Sequence, residues 1–365
     1  MDVNHSIKEW LPARAKTLII AGPCSVESEA QMLETAEGIA ATGMASALRG
    51  GVWKPRTKPG SFEGIGVPAL EWLKNAGDKV NLPVMTEVAN ALHVEEALKA
   101  DIDMLWIGAR TTVNPFYVQE IADALRGVDI PVWVKNPIHP EVGLWLGAME
   151  RLNSTGIQKI GAIHRGFYSY QSSPFRNEPK WELSFELRRL APDIPIICDP
   201  SHIAGKQELI KEVCQSSLDL GMDGFIIETH CNPSKALSDA RQQITPTHLQ
   251  EIVNSLETRA DLLDDERFIA RLEELRNEID KLDHRLLDVL RERVDIVESI
   301  SDVKTRNQVK IFQMKRWFKI LENREAYARE LGLDTEIVHE LFQLIHKYSI
   351  DIQIKAQQGQ KDFTS

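Results

Sequence analysis

The sequence predicts an α/β chain in two parts: a (β/α)8 TIM barrel followed by an all-α helical domain. Three observations carry that expectation. Short apolar runs alternate with helical patterns between Thr17 and about Asp261, and eight such strands over roughly 250 residues is the count of a parallel barrel. Polar residues stand just past nearly every run, whereas an open doubly wound sheet would use only the few strand ends at its switch point. Beyond the acidic stretch Asp261–Arg267 no strand signal remains.

In chain order, strands are expected at Thr17–Ser25, Ala45–Leu48, Pro83–Val88, Met104–Ala109, Pro131–Asn136, Lys159–His164, Pro195–Asp199 and Gly224–Thr229. Each reads as an apolar run bounded by turn residues. Helical periodicity falls between them at Ser28–Ala41, Ala91–Ala100, Val142–Leu152, Trp181–Leu190 and Gln207–Leu220. In the second part Leu272, Leu275, Ile279, Leu282, Leu286 and Val289 form an apolar helical seam that resumes at Ile296, Ile300 and Val303. One helix of about ten turns is expected there. Two more follow at Phe312–Leu331 and Thr335–Gln357, separated by Gly332 and capped at Asp334. The domain reading is residues 1–260 for the barrel, 261–267 for an acidic linker, 268–357 for the helical domain and 358–365 for a polar tail.

Composition excludes some partners. A net charge of −11 argues against nucleic acid, whose phosphates want a basic face. No run approaches the ~18 apolar residues of a membrane span, and Met1–Lys16 contains no apolar signal-peptide core. Four cysteines without framework spacing point to a reducing compartment, so a cytoplasmic location is expected.

Three strand ends carry metal-ligating residue types: Gly22-Pro23-Cys24-Ser25, Asp199-Pro200-Ser201-His202 and Glu228-Thr229-His230, with Asp239 close behind. Taken singly, Cys24 reads as a buried hydrophobe and His202 as a hydrogen-bonded loop residue. Glu228 at the end of an apolar strand needs a cation or donors. In a barrel Cys24, His202, Glu228 and Asp239 would converge on one mouth and suit one borderline divalent ion, Mn, Fe, Co or Zn; Mn is favoured only through the resemblance given below. Cys198 is expected in the core, with His230 and Cys231 flanking the site. Basic residues stand beside them in Arg49-Gly50-Gly51, Lys54-Pro55-Arg56-Thr57, Gly108-Ala109-Arg110, Lys135-Asn136-Pro137 and His164-Arg165-Gly166. Any one of these cations reads as a solvated charge. Their repeated strand-end position in an acidic chain indicates a pocket for a small polyanion.

These segments, with Ala236-Leu237-Ser238-Asp239, resemble the 3-deoxy-D-arabino-heptulosonate-7-phosphate (DAHP) synthases, in the group that also holds the sugar-acid 8-phosphate synthases. The Lys54-Pro55-Arg56-Thr57 form is similar to the heptulosonate enzymes; the octulosonate relatives, the less favoured reading, carry Lys-Ala-Asn-Arg there. The resemblance implies metal ligands at Cys24, His202, Glu228 and Asp239. It implies phosphoenolpyruvate contacts at Arg49, Lys54, Arg110, Lys135 and Arg165, Lys54 being catalytic as well, and places the phosphate of erythrose 4-phosphate at Arg56 and Thr57. Lys58-Pro59-Gly60 departs from the Ser-Pro pair more usual in relatives.

In the second part Arg293 interrupts the apolar seam, and Lys304, eleven residues on, faces nearly the same way. Ser349 and Gln353 continue the face of Leu341, Phe342 and Ile345, while Arg276 lies about a quarter turn away from Arg293. A dimerisation bundle with buried ion pairs would explain Arg293 alone. Four polar groups without carboxylates favour an anion site. Leu275-Arg276-Asn277-Glu278-Ile279-Asp280, Arg291-Glu292-Arg293, Val303-Lys304 and Leu341-Phe342-Gln343-Leu344-Ile345 resemble the all-helical chorismate mutases. That resemblance implies an active site of Arg276, Arg293, Lys304, Arg316, Ser349 and Gln353, in a dimer where Arg276 serves the partner's site. Trp317 stands where the family has a Glu that helps recognise the substrate hydroxyl, and Gln313 replaces an Asp. The joint expectation is a bifunctional, homo-oligomeric enzyme acting on phosphoenolpyruvate, erythrose 4-phosphate and chorismate, with prephenate inhibiting through the C-terminal domain. The alternative makes that domain mainly a regulatory and dimerising module with weak mutase activity.

Overall fold

The computed structural model describes residues 7–11, 13–55, 60, 62–170, 173–259 and 265–362. The chain divides into two compact units, Met1–Arg259 and Ala260–Ser365. In the first, strands β1 (Leu18–Gly22), β2 (Ala47–Arg49), β3 (Val84–Val88), β4 (Met104–Ile107), β5 (Val132–Lys135), β6 (Ile160–His164), β7 (Ile196–Cys198) and β8 (Gly224–Glu228) form a parallel barrel. It closes in sequence order, β8 pairing back onto β1. Strands buried on both faces read as unbroken apolar runs rather than as alternation, which is why they stand out in the sequence. Most are shorter than the runs suggest, because residues past the last ladder bond turn away into loops.

Leu18, Ile20, Ala47, Met85, Met104, Trp106, Trp133, Ile163, Ile197 and Ile226 fill the barrel interior. A short helix not expected from the sequence, α1 (Ile7–Trp10), leads into Leu11, which joins this cluster, and the Trp10 and Trp133 rings lie 5.3 Å apart. Around the barrel run α2 (Glu29–Thr42), α3 (Pro68–Val80), α4 (Ala91–Lys99), α5 (Ala109–Thr112), α6 (Pro115–Ala124), α7 (Val142–Ser154), α8 (Trp181–Leu190), α9 (Pro200–Ala204), α10 (Ile210–Asp219) and α11 (Pro246–Asn254). The expected helical segments omit α3, α6 and α11. Each of these opens on a proline, which a first helical turn accepts because its N–H has no partner there anyway.

The second unit has three helices among its described residues: α12 (Glu266–Arg306, 41 residues), α13 (Met314–Glu330) and α14 (Thr335–Asp362). Asp265 caps α12, its side chain accepting from the Arg267 and Phe268 amides. Asp334 does the same for α14 through Glu336 and Ile337. The apolar seam of α12 faces outward: Leu275, Ile279, Leu282, Leu286 and Val289 are each at least 41 % exposed, and Ile296, Ile300 and Val303 are exposed as well. Val294, Val297 and Ser301 turn inward instead, toward the side where Ser301 Oγ donates to the Gln353 carbonyl of α14.

Candidate active sites

Cys24, Glu228 and Asp239 meet at the C-terminal mouth of the barrel, their ligand atoms all within 4.8 Å of one another. Cys24 follows β1, Glu228 ends β8, and Asp239 sits in the next loop with φ +46°. That left-handed backbone is costly for a non-glycine residue and is tolerated where the surroundings hold it. Arg176 fixes the Asp239 carboxylate at 3.2 Å. His202 rides on α9, whose N-cap, Asp199, accepts from the His202 amide. The same carboxylate lies 2.8 Å from His202 Nδ1, leaving Nε2 to face Glu228 Oε1 at 3.8 Å. A carboxylate behind a histidine is the arrangement that orients a ligating imidazole.

Glu228 supplies the observation that tests whether these residues fit an ion. Its Oε2 accepts from Gln242 at 2.7 Å, but Oε1 is buried with no hydrogen-bond partner among the described residues. Its ion-pair partner Arg49 stands 3.4 Å away without hydrogen-bonding it, a costly state for a buried carboxylate oxygen, and a thiol, an imidazole and a second carboxylate stand close to Glu228. This mixed donor set fits a borderline divalent cation. Burial, with help from Glu228, pushes the Cys24 thiol up to about 12. Burial also pushes Glu228 up, yet His202 and Arg49 outweigh it and hold its carboxyl below the usual range.

The cations line the adjoining cavity of about 90 Å³, whose walls include Lys54, Glu87, Arg110, Lys135, Arg165 and His202. Arg49, at the end of β2, is fully buried; its guanidinium lies 4.8 Å from the Trp106 ring centre and 3.4 Å from Glu228 Oε1. Lys54 donates to the Cys24 carbonyl at 3.0 Å. Burial would lower the Lys54 pKa, but Cys24, Glu228 and Glu87 outweigh it and raise it. Lys135, ending β5, pairs with Asp199 at 2.7 Å. Arg165 donates to Asn177 at 2.9 Å, and burial lowers its pKa to about 10. Arg110 stands exposed on α5 at the rim. Arg56 and Thr57 lie outside the described residues.

Three further residues belong to this mouth and were not singled out from the sequence. Glu87 on β3 accepts from the Trp106 indole at 3.0 Å. Its other oxygen occupies the space beside Gly108, 2.1 Å from where a Cβ would sit, so a side chain there would displace the Glu87 carboxylate. Arg176 and Gln242 hold Asp239 and Glu228, and each other at 2.6 Å. Cys198 lies in the outer core, as expected. His230 is buried 3.7 Å from Glu27, and Cys231 stands beside it.

The helical unit brings together part of its expected set. Arg293 donates to Ser349 Oγ at 2.5 Å, Lys304 to the Ile311 carbonyl at 2.5 Å, and Ser349 and Gln353 are buried side by side on α14. Burial lowers the pKa of both Arg293 and Lys304. Arg316 is exposed, as is Arg276, which pairs with Glu273 on its own helix at 2.6 Å. Neither is hydrogen-bonded to the buried group.

Comparison with known proteins matches residues 13–264 to the DAHP synthetase I family and residues 275–354 to chorismate mutase type II. A phospho-2-dehydro-3-deoxyheptonate aldolase of Thermotoga maritima is 32% identical over 245 residues, 67% of this chain and 70% of that protein. A 2-dehydro-3-deoxyphosphooctonate aldolase of Vesicomyosocius okutanii subsp. Calyptogena okutanii is 26% identical over 261 residues, covering 66% and 89%. The crystal structure of the Thermotoga maritima DAHP synthase superposes with a TM-score of 0.59 at 31% identity, over 65% of this chain and 67% of that one. A truncated form of the Thermotoga synthase gives 0.56 at 28% identity, over 65% and 84%.

Proposed function

Since the chain belongs to the DAHP synthetase I family and carries a chorismate mutase type II domain behind the barrel, we propose that it condenses phosphoenolpyruvate with erythrose 4-phosphate and also rearranges chorismate to prephenate. The observation that carries the first activity is the cavity in which Lys54, Arg110, Lys135 and Arg165 stand beside His202 and Asp239. Cys24, His202, Glu228 and Asp239 would hold one divalent ion, which when bound supplies Lewis acidity for an aldehyde carbonyl. Arg110, Lys135 and Arg165 bind the phosphate of phosphoenolpyruvate, and Arg49 and Lys54 its carboxylate. C3 of the enol phosphate attacks the aldehyde, water adds at C2, and C–O cleavage releases phosphate. The cations hold two mutually repelling anions together and meet the charge that develops. Asp199 keeps His202 oriented and neutralises Lys135, while Gln242 and Arg176 hold the two carboxylates in place.

In the helical unit Arg293 would clamp a substrate carboxylate, with Arg276 and Arg316 completing the site and Lys304 and Gln353 hydrogen-bonding the breaking ether. Such a pericyclic shift needs positioning and charge stabilisation and no nucleophile. The exposed apolar stripe of α12 supports pairing with a second copy, which would let Arg276 reach the partner's site. Prephenate held in this unit would inhibit the synthase if it binds two arrangements of the chain unequally.

Product assays on the purified full chain test the reading. Condensation should occur with erythrose 4-phosphate and not with arabinose 5-phosphate, stop on exhaustive chelation and return with Mn²⁺. Undiminished turnover after chelation, or preference for the pentose phosphate, would overturn it.

A further inference from the structure

The helical unit contains a polar atom that none of the expected roles uses. His346 lies on α14, one turn before Ser349 and so on the same face. Its ring stacks on the Trp317 indole of α13, with centroids 4.1 Å apart and planes 10° from parallel, and Phe312 closes on it at 5.9 Å. Two aromatic neighbours from the α13 side therefore fix the plane of the imidazole. Its Nε2 is shielded from solvent and has no hydrogen-bond partner among the described residues. A buried polar group left unpaired costs free energy, and such groups in native structures call for an explanation.

The surroundings narrow what could pair with it. Arg293 and Lys304 of α12 are close enough to act on the ring. Burial first, and then these two cations, lower its pKa, so the imidazole stays neutral in their company. Carboxylates of a bound anion would go to the cations. A neutral imidazole nitrogen suits a neutral hydroxyl, to which it can donate or from which it can accept. Trp317 occupies the position at which the resemblance calls for a hydroxyl-recognising Glu, and an indole can donate but cannot accept.

We propose that His346, braced on Trp317, is a substrate-binding residue of the helical pocket whose Nε2 hydrogen-bonds the ring hydroxyl of the bound dicarboxylate. The inference rests on the mutase reading of this unit. It assigns hydroxyl recognition to α14, on the residue stacked against the α13 position where the resemblance calls for the Glu. A site built to hydrogen-bond a hydroxyl discriminates against ligands that lack it, and that discrimination is the property His346 confers.

The test uses the full chain with two substitutions. His346→Phe keeps an aromatic ring against Trp317 and removes the nitrogen; His346→Asn keeps a hydrogen-bonding group. Calorimetry would measure binding of prephenate and of a matched ring dicarboxylate lacking the hydroxyl, alongside mutase kcat and KM. His346→Phe should weaken prephenate binding about ten-fold, leave the deoxy ligand unaffected, and be partly rescued by His346→Asn. Equal weakening of both ligands would show a packing role and overturn the proposal, as would no change in either. If the unsubstituted chain neither binds these dicarboxylates nor turns over chorismate, the mutase reading falls and this inference with it. If it does both, loses them in Lys304→Ala, and His346→Phe matches the unsubstituted chain, only this inference falls.

Discussion

At the barrel mouth Arg49, Lys135, Asp199 and Glu228 are each no more than 4 % exposed, whereas the Arg276 side chain of the helical unit is 58 % exposed. The contrast follows from how the two units enclose space. Eight strands joined in a ring surround their charged groups on every side, so those groups must neutralise one another within the chain: Lys135 with Asp199, Arg49 with Glu228. Three helices have no such closure. Their buried polar groups, Ser301, Ser349 and Gln353, lie along the α12–α14 interface, while Arg276, Arg316 and an apolar stripe stay exposed. The barrel's described cations and carboxylates are enclosed by one chain, whereas part of the expected helical set faces outward.

Substitutions put that contrast to the test. The largest effect is expected from Glu228→Gln, which removes charge from the centre of the donor set. Bound metal should be lost on dialysis, with at least a ~10³-fold drop in condensation rate; retained metal and activity would disprove the assignment. Lys304→Ala should reduce mutase turnover by ~10²–10³-fold in a chromatographic prephenate assay while the barrel still carries out condensation. If the exposed stripe pairs two copies as proposed, placing Glu at both Leu282 and Leu286 should halve the particle mass in sedimentation and cost mutase activity ~10-fold or more. An unchanged mass would mean that the stripe does not pair copies of the chain.

The smallest effect concerns pH and separates the units by burial. Burial holds the His164 imidazole down at about 3, where Ser184 bonds its Nδ1 at 2.9 Å. The unfolded chain takes up this proton near pH 6.5 and the folded barrel does not. His164 therefore withdraws stability as pH falls from about 6.5 toward 3, by about 1.4 kcal/mol per pH unit, and its contribution is intact above that window. Denaturant titrations of His164→Asn at pH 7 and pH 5 should show a shallower loss than the parent chain; equal slopes would refute the burial argument.

Much of the barrel was legible because buried parallel strands leave unbroken apolar runs between turn residues, and because ligands cluster where those runs stop. Glu228 was found by one physical argument, that a carboxylate at the end of an apolar strand demands a partner. The same argument applies to Glu87, inside Val84–Val88, and was not pressed; the glycine at 108 that makes room for it is silent until the strands are side by side. Asp199 was visible as part of a motif, but its double role as helix cap and histidine orienter depends on a helix of five residues, too short to show periodicity. Arg176 acts from an irregular loop and Gln242 from the three-residue 3-10 turn Ala240–Gln242, and neither carries a pattern. In the helical unit, periodicity marks the three helices and the apolar stripe of α12 but not which way that stripe faces, since a sequence records that a face is apolar and not what covers it.

The donor set straddles the seam where the ring closes. Cys24 and Asp239 are separated by 215 residues, and the same seam is stitched by Ser25 with Ser238 and by the Cys24 amide with Gln243. A growing chain gains the thiol with the first strand of the barrel, but Glu228 and Asp239 join it only when the last strand and its loop have been made. Contacts of such span form late, after their long loop has been closed. Ion capture would thus be a finishing event in the birth of the molecule, and an interrupted or misassembled barrel would carry a solitary thiol with nothing to compete for metal.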